Sequence, residues 1–188
     1  MSVMDTLITD RTQADADRAD ALNRRGWENL TAAERTEWQS GLKGAYNAAD
    51  LNRVGQAVEF LRDYLNGVQA ALDAHRALYG VASDTIFDAT WGQLSLTVKT
   101  DWTTGDIPTP EQLTVYLQNV NDVSACIAIT RHLPSGMDNL TVQGANEIER
   151  VLEAEYATGL DFEALKKQLI ENTAAAWFYS GDLYGGEI

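Results

Sequence analysis

Apolar residues recur along this chain at helical spacing, and the longest unbroken run lies between Tyr46 and Tyr79. Val54, Val58, Leu61, Leu65, Val68 and Leu72 alternate steps of four and three, which is the seam of a heptad pattern. His75 and Tyr79 continue its register. A second stripe, Ala57, Phe60, Tyr64, Ala71 and Leu78, lies beside the first, and two adjacent stripes suit a helix packed in a bundle better than an isolated two-stranded coil. The run also opens like a helix. Asn47 is a good N-cap, Asp50 can reach back to the free amides, and Tyr46 and Leu51 can close over the turn as a staple. The pattern predicts one long central helix from Asn47 to Tyr79. Gly55 and Gly67 each cost such a helix about 1 kcal/mol relative to alanine, or let another helix approach closely.

On either side of this spine the periods are shorter. Thr12 to Arg25 reads as a helix capped by Asp10, with Ala14, Ala21 and Leu22 as its few buriable positions, lying across a neighbour rather than forming core. Leu30-Thr31-Ala32-Ala33-Glu34 is a complete capping box with its staple and starts a short helix reaching about Ser40. Trp27 and Trp38 flank that helix and are placed to pin it to the central one. From Val81 to Asp106 no helical period survives. Leu94, Leu96 and Val98 fall on one side of an alternating stretch, which fits a short strand or an extended connector, and Trp91 and Trp102 lie in the same region.

Thr109-Pro110-Glu111-Gln112 restarts a helix, with Thr109 as cap and Pro110 in the first turn. Leu113, Tyr116, Leu117, Val120, Val123 and Ile127 mark its inner face, and it ends near Arg131. After a Leu133–Gly136 turn, Leu140-Thr141 caps a further helix with Ala145, Ile148, Val151, Leu152 and Tyr156 inward. Gly159 is expected to break it, and Phe162, Leu165, Leu169 and Ile170 line a last helix to about Ala176. The fold class that follows is all-α: five or six helices around the central one, an irregular or short-strand middle segment, and an extended aromatic C-terminal tail. Residues 1–176 form one helical domain, divisible into halves 1–80 and 107–176 joined by 81–106, and 177–188 is a docking tail. In that tail Trp177, Phe178, Tyr179, Leu183 and Tyr184 need burial on their own domain or on a partner.

Composition narrows the partners. Twenty-eight acidic residues against 14 basic ones give a net charge of −14, which argues against phosphate backbones and anionic membranes. Cys126 is the single cysteine, so neither an internal disulfide nor a thiolate metal cage can form. Met1-Ser-Val-Met-Asp-Thr-Leu has neither the basic flank nor the apolar run of a signal peptide, and no stretch approaches the roughly 20 apolar residues of a membrane helix. A soluble protein made in the cytoplasm of its cell is the expectation.

Candidate chemistry is sparse. His75 falls on the apolar seam and His132 at a helix end before Leu133-Pro134, where a positive imidazole suits the helix dipole. Neither has a second histidine or a carboxylate at metal-binding spacing in its own segment. Cys126 beside Ile127 reads as a buried, inert thiol. Glu147, Glu149, Glu153 and Glu155, with Arg150 interposed, read as a solvated face and not as an acid–base pair. Ser180 lacks the strand–turn–helix frame of a hydrolase elbow, and Gly185-Gly186 has no helix after it to cradle a phosphate. No catalytic, metal-binding or cofactor-binding residue is expected.

Two phrases echo each other: Tyr46-Asn47-Ala48-Ala49-Asp50-Leu51-Asn52-Arg53-Val54 and Leu140-Thr141-Val142-Gln143-Gly144-Ala145-Asn146-Glu147-Ile148. Each has a staple residue, a cap, a small or apolar residue before an asparagine, and an aliphatic two positions later, which suggests two related helical halves. The first phrase, and Ala145-Asn146-Glu147-Ile148-Glu149, resemble a helix-opening phrase of tail-fibre and baseplate-region proteins of Firmicutes phages and prophages. Asp10-Arg11-Thr12, Gly41-Leu42-Lys43-Gly44, Asp106-Ile107-Pro108-Thr109 and Ser180-Gly181-Asp182-Leu183-Tyr184 resemble that group in their order along the chain. The resemblance implies a structural or assembly role in the virion tail. Its expected partners are other tail proteins and further copies of the same chain, with no nucleic acid and no membrane, and it carries no catalytic residues. In that role the heptad face packs within the bundle or between copies, and the aromatic tail docks on a neighbouring subunit. Two other readings fit the residues: a soluble adaptor or chaperone for another tail protein, and a helical enzyme using His75 or His132 with a carboxylate.

Overall fold

The computed structural model describes residues 2–79, 93–126 and 132–182. Its elements are helical: α1 (Gln13–Arg25), α2 (Ala32–Gln39), α3 (Ala48–Tyr79), α4 (Pro110–Ser124) and α5 (Val142–Asp182), with short 3-10 turns at Val3–Thr6 and Trp27–Asn29. No described residue is in a strand, and the all-α class stands.

Local chemistry starts each helix. Thr31 and Thr109 accept from Glu34 and Gln112 amides while those side chains return to the cap amides, as their spacing predicts. Thr141 Oγ1 accepts the Gly144 amide at 3.0 Å. At α3, Asn47 Oδ1 accepts the Ala49 amide at 2.8 Å and Asp50 Oδ2 accepts the Asn47 amide at 2.9 Å. Helix α1 begins one residue later than expected, because Thr12 rather than Asp10 is its cap, in a box with Asp15. Its buried residues are Ala19 and Leu22, whereas Ala14 and Ala21 face solvent.

The main core lies between α3, α4 and α5. Leu51, Val54, Ala57, Val58, Leu61 and Leu65 of α3 meet Tyr116, Val120 and Val123 of α4 and Ile148, Val151 and Leu152 of α5. The heptad seam from Val54 to Leu65 is therefore satisfied inside the chain. Val68 is buried as well, while the side chains of Leu72 and His75 lie outside the described residues. The 3-10 turn at the N-terminus adds Met4 to this core, a packing role that the sequence reading did not assign. A satellite cluster of Ala19, Leu22, Leu30 and Leu42 holds α1 to the residues that flank α2. Trp38 packs on that satellite and Trp27 stays 45% exposed, so neither pins α2 to the central helix.

Helices α3 and α5 run parallel. Glu149 lies against Asp50 and Arg53, the Tyr156 ring is 5.4 Å from Phe60, and a Cβ on Gly159 would come within 2.6 Å of the Tyr64 ring. That last contact corrects the expected break. Gly159 does not end the helix; it leaves room for the tyrosine, and α5 runs unbroken through it for 41 residues in all, Val142 to Asp182. Trp177, Phe178 and Tyr179 are accordingly on its last turns in backbone terms. Their side chains, and all of Leu183 and Tyr184, lie outside the described residues. So do Trp91, Ile127 and Arg131.

The stretch 93–103 is extended but pairs with no strand. Leu94, Leu96 and Val98 do pack on the core, as their alternation predicts. Gly55 is what admits the segment: a Cβ there would sit 2.8 Å from the Lys99 carbonyl oxygen, so the close approach is made by a connector and not by another helix.

Candidate functional site

Side-chain amides replace the missing sheet. Asn52 on α3 donates to the Trp102 carbonyl at 2.8 Å and accepts the Trp102 amide at 2.7 Å. Asn66 makes the same pair with Leu94, at 3.1 and 2.8 Å, and Asn119 on α4 donates to the Thr97 carbonyl at 2.8 Å. On α5, Asn146 holds the backbone of Arg11 at 2.9 Å in both directions. A primary amide presents one acceptor and two donors in a plane, so it satisfies an isolated extended residue much as a neighbouring strand would. The two asparagines of the internal echo, Asn52 and Asn146, thus have one job: each clamps an extended segment onto the start of its own helix.

Beside the second clamp lies an enclosed cluster of charged groups. Arg11 donates through one terminal nitrogen to Asp50 Oδ1 at 2.8 Å and to Glu149 Oε1 at 2.5 Å. Arg53 forks onto Glu149, Nε to Oε2 at 2.9 Å and a terminal nitrogen to Oε1 at 2.8 Å, and also bonds Asp50. The Ile8 amide donates to Glu149 Oε2 at 2.6 Å, and the Arg11 guanidinium returns to the Ile8 carbonyl at 2.6 Å. Glu149 is 0% exposed. Two cations and two anions cancel within the cluster, and each carboxylate oxygen has at least one donor, which is what allows buried charge to persist. Burial alone would pull the Arg53 guanidinium down, yet the Glu149 and Asp50 carboxylates outweigh it and hold its pKa above the ordinary arginine value. The hydroxyls of Tyr46 and Tyr116 bond each other next to the cluster, and burial raises both phenols above their usual range.

This corrects the reading of the glutamates. Glu149 and Glu155 are fully buried, and only Glu153 of the four is exposed. The signal was present: Glu149 follows Ala145 by four positions and Glu155 follows Leu152 by three, so both stand in the register of the apolar stripe. Cys126 is buried as expected, its thiol pushed up to about 12 by burial, which leaves it protonated and unreactive at neutral pH. His132 lines a polar groove together with Asp138 and one face of α4 from Pro110 to Asn121.

A second concavity, of about 660 Å³, opens between the α2–α3 connector and the loop at 102–108. Trp38, Leu42, Tyr46, Ala49, Trp102 and Pro108 are among its walls. Trp102 is 7% exposed and its indole Nε1 finds no acceptor among the described residues, where a buried unpaired donor costs about 1–3 kcal/mol. Ile107, at the rim of this loop, is 90% exposed. Among the described residues no group of three or more His, Cys, Asp or Glu could hold a metal ion, and no described helix is long and apolar enough to cross a membrane.

Comparison with known proteins returned no matching family model, no matching curated protein and no matching solved structure.

Proposed function

We propose that the protein is a structural component of a phage or prophage tail, in the baseplate or fibre region, acting by protein–protein assembly. The observation that carries this reading is where the resembling segments meet. Asp10-Arg11-Thr12, the Tyr46–Val54 phrase and Ala145-Asn146-Glu147-Ile148-Glu149 are far apart in sequence, yet Arg11, Asp50, Arg53, Asn146 and Glu149 form one enclosed cluster. A cluster whose charges cancel and whose carboxylate oxygens all accept protein donors fixes the relative placement of three segments, although the buried Arg11 Nε is left without a partner among the described residues. That placement supports a scaffold role, which is the role the resemblance implies. Two parallel helices of 32 and 41 residues extend that scaffold away from the cluster and carry an aromatic sequence at the far end.

Protein identification in purified particles, induced from a host carrying the gene, tests this reading. Stoichiometric presence in tails supports it. Absence from finished particles, with recovery bound to a tail protein in lysates, would instead make the chain an assembly adaptor.

A further inference from the structure

We propose that the starts of α3 and α5 are matching docking surfaces for one kind of extended strap, that the two halves of the chain exchange their straps across them, and that residues 55 and 149 decide which strap each surface accepts. This exchange is independent of the virion reading above.

The straps are a second internal repeat. Between segments 3–15 and 94–106, Thr6, Thr9, Asp10, Thr12 and Asp15 recur as Thr97, Thr100, Asp101, Thr103 and Asp106 at one constant offset. Val3 and Leu7 of the first strap pack on the main core, and so do Leu94 and Val98, which stand at the same offset in the second. Both straps end alike. The Thr12 amide donates to Asp15 Oδ2 at 2.8 Å, and the Thr103 amide donates to Asp106 Oδ2 at 2.6 Å.

The surfaces that receive them repeat in the same register. Asn146, the fifth residue of α5, clamps the Arg11 backbone, and Asn52, the fifth residue of α3, clamps the Trp102 backbone. Three residues further along each helix, Glu149 accepts the Ile8 amide and Gly55 lies against the Lys99 carbonyl. Ile8 and Lys99 each stand three residues before the clamped position. The pairing is crosswise: the strap that leads into α1, α2 and α3 docks on α5, and the strap that leads into α4 and α5 docks on α3. Contacts that interchange in this way are what a two-fold relation imposes, here within one chain.

One difference keys each strap to its surface. At the clamped position the first strap carries Arg11 and the second Trp102. Arg11 meets the Glu149 carboxylate at 2.5 Å, whereas Trp102 joins the core and the strap beside it passes too close to Gly55 to admit a side chain there. With the straps interchanged, Glu149 would lose a buried cation, and Arg11 would face a glycine that offers no carboxylate. Each surface therefore rejects the other's strap as well as accepting its own.

Hydrogen exchange of the full chain, read by mass spectrometry over residues 8–12 and 97–103, tests the exchange. Gly55→Glu gives α3 the residue that α5 carries, and is expected to speed exchange of 97–103 about tenfold or more while 8–12 stays unchanged. Adding Trp102→Arg supplies the kind of strap such a surface accepts, and should recover about tenfold of that protection. A pair no better protected than Gly55→Glu alone overturns the keyed exchange. Asp15→Ala and Asp106→Ala lie outside the core, so they keep the test decisive if the pair misfolds. Each should speed exchange in its own strap alone, by factors that agree within about threefold. An effect confined to Asp15→Ala, or one that spreads to both straps, overturns the proposal.

Discussion

Arginine–carboxylate pairs occur in two regions of this molecule, and the regions use them differently. On the α1–α2 hairpin, Arg18 forks onto Glu37 at 3.1 and 2.7 Å, and Arg25 meets Glu34 at 2.6 Å, with both arginine side chains 45% exposed. At the joint of α3, α5 and the N-terminal segment, Arg11 and Arg53 meet Asp50 and Glu149 at similar distances with side chains 14% exposed or less. Distance is not what separates them. In water a pair at this range gains little, because solvent screens it and two long side chains lose freedom. In the interior each charge has left water, so removing one partner strands the other at high cost. The hairpin pairs decorate a helix junction that its leucines already hold; the buried set decides where the first twelve residues go.

The strongest way to break this comparison is Arg11→Met. Glu149 and Asp50 then share one arginine in a dry site, and a loss of about 3–5 kcal/mol is expected by chemical denaturation, with the m-value unchanged. The same substitution at Arg18 should leave the unfolding midpoint where it was. Equal effects at the two sites would refute the distinction.

Asn146→Ala separates clamp from charge. It leaves the salt bridges formally intact but frees the buried Arg11 amide and carbonyl, for an expected loss of about 1–3 kcal/mol. Hydrogen exchange should show residues 8–12 opening first. Asn52→Ala should expose the Trp102 segment in the same manner, which tests whether the two echoed asparagines are equivalent.

A double-mutant cycle of Arg53→Met with Glu149→Gln should give a coupling of about 0.5–3 kcal/mol, whereas the corresponding cycle on Arg18 and Glu37 should give additive effects. The smallest expected effect concerns acid. The Thr31 amide and hydroxyl, and then Arg25, hold Glu34 down to about 2 from an unfolded value of 4.5. A depressed carboxyl contributes its full stability above its unfolded pKa and loses it as pH falls through the folded one. Glu34→Gln should therefore flatten the stability curve between about pH 4.5 and 2 and leave neutral pH nearly unchanged. A curve parallel to the unsubstituted protein's across that window would remove Glu34 from the acid response.

Much of the architecture was legible without coordinates. The cap at Asn47, the boxes at Thr31 and Thr109, and the start at Thr141 are all where their residues announce them. The seam from Val54 to Val68, and the inward Leu94, Leu96 and Val98, are also as their periods predict. Other readings failed for a shared reason. Gly159 carries the sequence mark of a helix end, but Tyr64 from α3 occupies the space its missing side chain leaves. Glu149 stands in the register of the apolar stripe, but the cations that let it be buried, Arg11 and Arg53, come from elsewhere in the chain. The candidate groove was invisible too, since its walls come from the α2–α3 connector and from a loop some fifty residues further along.

By itself, then, the sequence determined most features set by interactions within about one helical turn: the starts of α2, α3, α4 and α5, the inward seam of α3, and the side on which the connector packs. Those choices depend on side chains a few residues apart and on backbone groups that must be paired locally. Only the tertiary structure decided which charges could be buried and which glycine was a break. The partner of Ile8 is Glu149, 141 positions away, and no local pattern states whether a buried carboxylate will find its cations. Desolvation makes that question all or nothing, and it is answered when α3, α5 and the N-terminal segment close on one another.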